Sequence, residues 1–160
     1  MTTTRIHTTH IGSLPRPHDL LALLREQEER GRVGDRVSFD ARVRSAVEAV
    51  VRKQLATGLN IVNDGEQGKP DYSTYITRRL TGFEGESDGP PMGADMREFP
   101  AFAARRPTAA SQKWPTCSGP IAWRDFGAVE TDIENLRRAA ERTGAADVFM
   151  TAVSPGQAAR

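Results

Sequence analysis

The chain has 160 residues, 38% hydrophobic and 27% charged, with 22 basic against 21 acidic side chains and a formal net charge of +1. That length suits one domain with a real core. Interleaved, balanced charge excludes a polybasic nucleic-acid face, and no apolar run approaches the roughly 18 residues of a membrane span. The opening MTTTRIHTTHIGS has no apolar signal region, and a single cysteine, Cys117, excludes an internal disulfide framework. The expected compartment is the cytoplasm.

Residues 5–14, RIHTTHIGSL, read as a short strand entering a glycine turn and stopped by Pro15 and Pro17. Residues 19–30 predict a helix with Leu20, Leu21, Leu23 and Leu24 on its apolar face and Gly31 at its end. A polar linker covers 31–38. The clearest element is a helix over 40–57. Its Val43, Ala46, Val47, Val50, Val51 and Leu55 fall near one stripe of a 3.6-residue period, and Gly58 stands where a C-terminal cap belongs. Residues 59–63, LNIVN, follow as a buried strand. Residues 71–80 fit a helix opened by Asp71, with Tyr72, Tyr75, Ile76 and Leu80 as apolar members.

Residues 82–113 are dense in glycine and proline and predict a long irregular excursion with room for a small hairpin. A strand over 116–123 follows, then a helix over 130–143 with Ile133, Leu136, Ala139 and Ala140 inward and Gly144 as its cap. A last strand covers 147–152. This alternation is the grammar of an α/β fold with a parallel sheet. Ser13, Asp64, Glu66 and Ser154 all fall just beyond strand ends, where ligands gather in such folds. Ser154-Pro155 announces a further helix as the chain runs out, and four parallel strands leave an exposed edge. The expectation is the front part of a larger domain; a complete small domain with a frayed tail is the alternative.

The most chemical stretch is LNIVNDGEQGKPDY. A carboxylate such as Glu66, after a buried strand and at a glycine turn, can hold an ammonium group or accept a proton; the plain alternative is a solvated Asp-Gly turn. In THIGSLPRP, His10 and Ser13 bracket Gly12, whose neighbouring N–H groups can hold a carboxylate. His10 can donate a hydrogen bond or ligate a metal, or be a satisfied polar residue at a strand end. Arg16 can pair with an anion or simply be exposed. His7 and His10 point to opposite faces of a strand, and Cys117 has no CxxC or HxC neighbour and reads as a small buried hydrophobe. No metal site is assigned. Neither GSLPRP nor GEQGKP matches a nucleotide loop. Trp114 and Trp123 read as core or rim.

HIGSLPRP, GLNIVNDGEQGKPDYSTYITRRLTGFEG and DVFMTAVSPG, in that order, resemble the cobalamin-independent methionine synthase family, and more closely its short stand-alone catalytic members. That resemblance implies a (β/α)8 TIM barrel, of which these residues would form roughly the first four βα units, with 82–113 an excursion within it. It implies zinc-dependent methyl transfer from 5-methyltetrahydrofolate or its polyglutamate to homocysteine, giving methionine. Zinc would make the thiol a thiolate, the nucleophilic form. By the same resemblance Ile11, Gly12 and Ser13 help hold the amino-acid substrate, Glu66 contacts its amino group, and Asp71 matches a further family aspartate. His10 stands where the long enzymes have threonine, and Asp64 where they have histidine.

The family's zinc ligands have no counterpart in these residues, so none is assigned here. Other readings stay open: a thiol alkyltransferase of the coenzyme M type, or a non-catalytic half-barrel that binds substrate, self-associates or pairs with a complementary half. The expectation is that the purified 160-residue polypeptide transfers no methyl group to homocysteine; zinc-dependent turnover in a radiolabelled-methyl assay contradicts it.

Overall fold

The computed structural model describes residues 6–71, 74–87, 93–105 and 114–158. Helix α1, His18–Arg30, ends on Gly31 in the left-handed conformation, the residue and geometry a helix C-terminus favours. Helix α2, Arg36–Ala56, starts on Asp35, whose side chain accepts the N–H groups of Val37 and Ser38. It begins four residues earlier than the expected start at residue 40, because the Asp35 cap lies upstream of the apolar stripe. Arg42 of α2 grips Asp19 of α1 with two hydrogen bonds of 2.6 and 2.8 Å, holding the Asp19 carboxyl down at about 2. Asp19 stays largely exposed, so this pair orients the helices more than it stabilises them.

The core follows from the helical periods. Leu20 and Leu24 of α1 pack with Phe39, Val43, Ala46, Val47 and Val51 of α2 and with Leu136 and Ala139 of α5, Gly127–Thr143. Strand β1, Ile61–Val62, sends Val62 into this cluster. It pairs in parallel with β4, Asp147–Val148, in the register Ile61↔Asp147 and Val62↔Val148. Helices therefore cover the outside of a short parallel pair, an α/β arrangement consistent with a partial, unclosed β/α barrel. No described helix is long and apolar enough to cross a membrane.

Elsewhere the structure departs from the sequence expectation. The 6–14 segment runs beside β1 without forming a ladder. Side-chain amides replace the ladder: Asn60 Oδ1 accepts the Thr8 N–H at 3.1 Å, and Asn63 Nδ2 donates to the His10 carbonyl at 2.5 Å. Backbone bonds from Asn60 and Ile61 to the Thr8 carbonyl and from Leu14 to Gly65 complete the attachment. The strand expected at 116–123 lies earlier, as β3, Trp114–Thr116, and is antiparallel to β2, Gly85–Ser87. These two form their own small sheet rather than joining β1 and β4. Cys117, expected inside, is exposed, because β3 ends at Thr116 and the chain turns out through Ser118-Gly119-Pro120.

The helix expected over 71–80 is a 3₁₀ turn, Thr74–Arg78, after which Leu80 bridges to Trp123; Tyr72, counted as one of its apolar members, lies outside the described residues. Within 82–113 the described residues hold β2 and two short helices, α3, Ala94–Glu98, and α4, Pro100–Ala103. Helix α6, Pro155–Ala158, begins at the expected proline. Ile133, expected inward, is 53% exposed, because Asn135 takes a buried place beside Leu136. Trp123 is exposed and meets Phe126 edge-on, with centroids 5.0 Å apart.

The core assignment has a direct test in urea unfolding. Leu24→Ala removes a side chain only 1% exposed and is expected to cost about 2–5 kcal/mol. Ile133→Ala on the exposed side of α5 is expected to stay within about 0.5 kcal/mol.

Candidate functional site

Every residue from Val62 to Gln67, and Lys69 beyond them, is buried. A polar turn placed inside must satisfy its own groups. Gln54, reaching from α2, accepts the Asn63 N–H and donates to the Asn63 carbonyl at 2.8 Å, standing in for a neighbouring strand. Asn63 Oδ1 accepts the Gly65 N–H and Asp64 Oδ1 the Glu66 N–H. Gln67 donates to the Leu14 carbonyl at 3.1 Å. The turn is thus not a solvated Asp-Gly loop.

Gly65 has φ +57°, and a Cβ there would stand 3.2 Å from both Leu14 and Val50 side chains. Glu66 follows with φ 55°, the one non-glycine residue with positive φ among those described. Such strain persists only where surrounding contacts enforce it. Arg16 supplies the main contact: its guanidinium donates twice to the Glu66 carbonyl, at 2.9 and 3.2 Å, and also to the Lys69 carbonyl. Arg16 is therefore not an idle surface cation. Burial pushes its guanidinium below the ordinary value, against the pull of Glu66 and Asp64.

The Glu66 side chain, in a residue 2% exposed, accepts the Ser13 hydroxyl at 2.5 Å and the Thr151 hydroxyl at 3.2 Å. Ser13 arrives on the N-terminal segment and Thr151 three residues past β4. The β1–β4 pairing is what brings them to one carboxylate. Next to it Lys69, 2% exposed, pairs with Asp64, 4% exposed, at 3.3 Å, and donates to the Thr151 carbonyl at 3.4 Å. Lys69 Nζ and the Arg79 guanidinium each stand 5.5 Å from the Tyr75 ring centroid, and Arg79 pairs with Asp132 at 3.0 Å. Burial pushes the Asp132 carboxyl and the Tyr75 hydroxyl up, against these cations.

Of the residues singled out by sequence, the structure joins Ser13 and Glu66 directly. His10 is half-buried, its Nε2 3.0 Å from the Gly12 carbonyl and its own carbonyl accepting from Asn63. Gly12 turns with φ +101° and Ile11 is 73% exposed. Asp71 is exposed, and its charge acts on Arg16. Asp64 was legible as a residue just past a strand end, but its buried pairing with Lys69 was not, and for Thr151 the nearest signal was Ser154, a polar residue past the same strand. Among the described residues no group of three His, Cys, Asp or Glu is placed to hold a metal ion.

This geometry coincides with a family match. The model of the cobalamin-independent synthase catalytic domain matches residues 6–91, more than half of the chain and including both Ser13 and Glu66. The chain belongs to the cobalamin-independent synthase catalytic-domain family. Among curated relatives, a methionine synthase of Thermococcus kodakarensis is 36% identical over 77 residues, 48% of this chain and 22% of that protein. One of Pyrococcus furiosus is 34% identical over the same shares. A 5-methyltetrahydropteroyltriglutamate–homocysteine methyltransferase of Nitratidesulfovibrio vulgaris is 35% identical over 82 residues, 51% of this chain and 10% of that one. The matched stretch spans about a fifth of the first two relatives and a tenth of the third. In fold, the chain is similar to a B12-independent methionine synthase from Shewanella sp. W3-18-1 in complex with selenomethionine. The TM-score is 0.61 at 22% identity, covering 94% of this chain and 38% of that one.

The buried ion pair makes a prediction about stability. Lys69→Met strands the Asp64 carboxylate and is expected to cost about 3–5 kcal/mol. Adding Asp64→Asn, which keeps the acceptor for the Glu66 N–H, is expected to restore most of that loss. Urea unfolding of the single and double variants reads the difference.

Proposed function

We propose that this chain carries the amino-acid-binding part of a cytoplasmic methyl-transfer site, with homocysteine as acceptor and a methyl-tetrahydrofolate as donor, and that it corresponds to the N-terminal half of the family's barrel. One observation carries the reading: the almost fully buried Glu66 carboxylate has two hydroxyl partners and no ion pair among the described residues. A desolvated carboxylate is far better compensated by a cation than by hydroxyls. An α-ammonium group is a cation of the right size. Ser13 is exposed and lies over the carboxylate, so rotation of its hydroxyl opens the approach. The Thr151 hydroxyl keeps the other oxygen oriented.

In this reading Gly12 and Ser13 offer backbone N–H groups to the substrate carboxylate, with Ile11 flanking them. His10, bonded to the Gly12 carbonyl, fixes that turn, and Asp71 tunes Arg16 from outside. The names of the curated relatives, which specify methionine synthesis or methyl transfer to homocysteine, and the selenomethionine bound to the Shewanella protein support an amino acid as ligand. Zinc is the thiol-activating ion that the family resemblance implies. The described residues do not fit it, so these residues are assigned binding and orientation only.

A second reading, pairing with another copy or a complementary half-barrel, is favoured by one feature. A groove of about 430 Å³ between α5 and β4 is lined by Ile133, Leu136, Ala140, Val148, Phe149 and Met150. A dimer in light scattering supports that reading, and a monomer counts against it.

Titration calorimetry separates the acceptors. Homocysteine is expected to bind saturably, and Glu66→Gln to weaken it roughly tenfold or more, as loss of a charged hydrogen bond does. Coenzyme M has a sulfonate and no ammonium, so Glu66 should repel it. Tighter binding of coenzyme M, or indifference of homocysteine to Glu66→Gln, overturns the proposal.

A further inference from the structure

The Lys69 ammonium has three partners around it. Asp64 Oδ2 lies at 3.3 Å, the Thr151 carbonyl at 3.4 Å, and the Tyr75 ring centroid at 5.5 Å. A buried ion pair is often no more stabilising than an apolar pair of similar volume. Stability alone therefore does not account for a lysine so nearly enclosed. Its reach does. Asp64 belongs to the loop after β1, and Thr151 stands three residues past β4. The ammonium ties together the two segments that meet at Glu66.

These contacts close a ring. Asp64 Oδ1 accepts the Glu66 N–H at 3.0 Å, and Asp64 Oδ2 faces Lys69. Lys69 donates to the Thr151 carbonyl, and the Thr151 hydroxyl donates to Glu66 Oε1 at 3.2 Å. Thr151 lies outside regular secondary structure, and Lys69 and Glu66 hold it from its two polar ends. A charge-assisted bond to a carbonyl fixes the peptide plane. The β-branched side chain, stiff at χ1, then has its hydroxyl placed by that plane.

We infer that Lys69 is a positioning residue for the Glu66 site: through the Thr151 carbonyl it sets the hydroxyl that orients the Glu66 carboxylate. The inference rests on the reading of Glu66 as the ammonium-binding group. Lys69 itself touches no substrate. Asp64 offsets its charge, so it aims Glu66 without repelling an incoming ammonium group.

The test uses the double variant Asp64→Asn/Lys69→Met, in which the ion pair is removed whole. By calorimetry it is expected to bind homocysteine roughly tenfold more weakly than the parent chain. Thr151→Val removes the hydroxyl at nearly constant volume and is expected to lose a similar factor. Added to the double variant it should lose little more, because both changes act through one hydroxyl. A purely structural Lys69 would give losses that multiply. A second readout needs no ligand. Thr151 χ1, from three-bond couplings in solution NMR, is expected to hold one rotamer in the parent chain and to average in the double variant. If the parent chain binds no homocysteine, the Glu66 reading fails, and the rotamer comparison alone decides for Lys69. Should the double variant fail to fold by circular dichroism, an averaged Thr151 in the parent chain overturns the inference, and a fixed one together with the Thr151→Val loss supports it. Unchanged homocysteine binding in a folded double variant, multiplying losses, or a Thr151 rotamer indifferent to Lys69 overturns it.

Discussion

The grip of Arg16 on the Glu66 and Lys69 carbonyls holds the rest of the site in place. A residue with a Cβ resists φ 55°, and without an external hold the turn would relax toward an extended backbone. Relaxation would swing the Glu66 side chain away from Ser13 and Thr151. It would also unseat Lys69, whose carbonyl is gripped by the same guanidinium and whose ammonium meets Asp64. One long side chain from the N-terminal segment thus fixes a loop about 50 residues downstream. It does so through main-chain atoms, leaving the Glu66 carboxylate to the Ser13 and Thr151 hydroxyls.

Charge in this region is arranged as a row. Glu66, Asp64, Lys69, the Tyr75 ring, Arg79 and Asp132 follow one another from the β1 end to α5. Each cation between Asp64 and Asp132 has an anion on one side and the Tyr75 face on the other. Glu66 terminates the row, and among the described residues its carboxylate has hydroxyl partners only. That asymmetry is why we propose Glu66, and not the already matched Asp64, as the partner of an incoming ammonium group. At the opposite end the Nη1 atoms of Arg78 and Arg79 are buried without an acceptor among the described residues.

Legibility differed by element type. The leucines of α1 and the valines of α2 repeat at helical spacing, and Gly31 and Gly144 stop their helices in left-handed geometry as expected. The strands were harder. Residues 6–14 have a strand's composition, yet Asn60 and Asn63 intercept the backbone groups a ladder would use. Residues 114–116 pair with 85–87 across a gap that no local pattern encodes. Cys117 and Ile133 went outward because neighbours, not their own hydrophobicity, decided the inner places.

The sequence by itself determined the three long helices, the glycines that end α1 and α5, the α/β class and, through motif resemblance, the choice of Ser13 and Glu66 as candidate site residues. These depend on short-range spacing and on residue identity, which are written along the chain. Only the tertiary structure decided that the VNDGEQ turn is buried, that Arg16 clamps it, and that Thr151 joins Glu66 from beyond β4. Those facts arise from contacts between residues about 50 to 85 positions apart in sequence. Burial and partnership at such separations follow from how the helices and the β1–β4 pair pack, which local spacing does not specify.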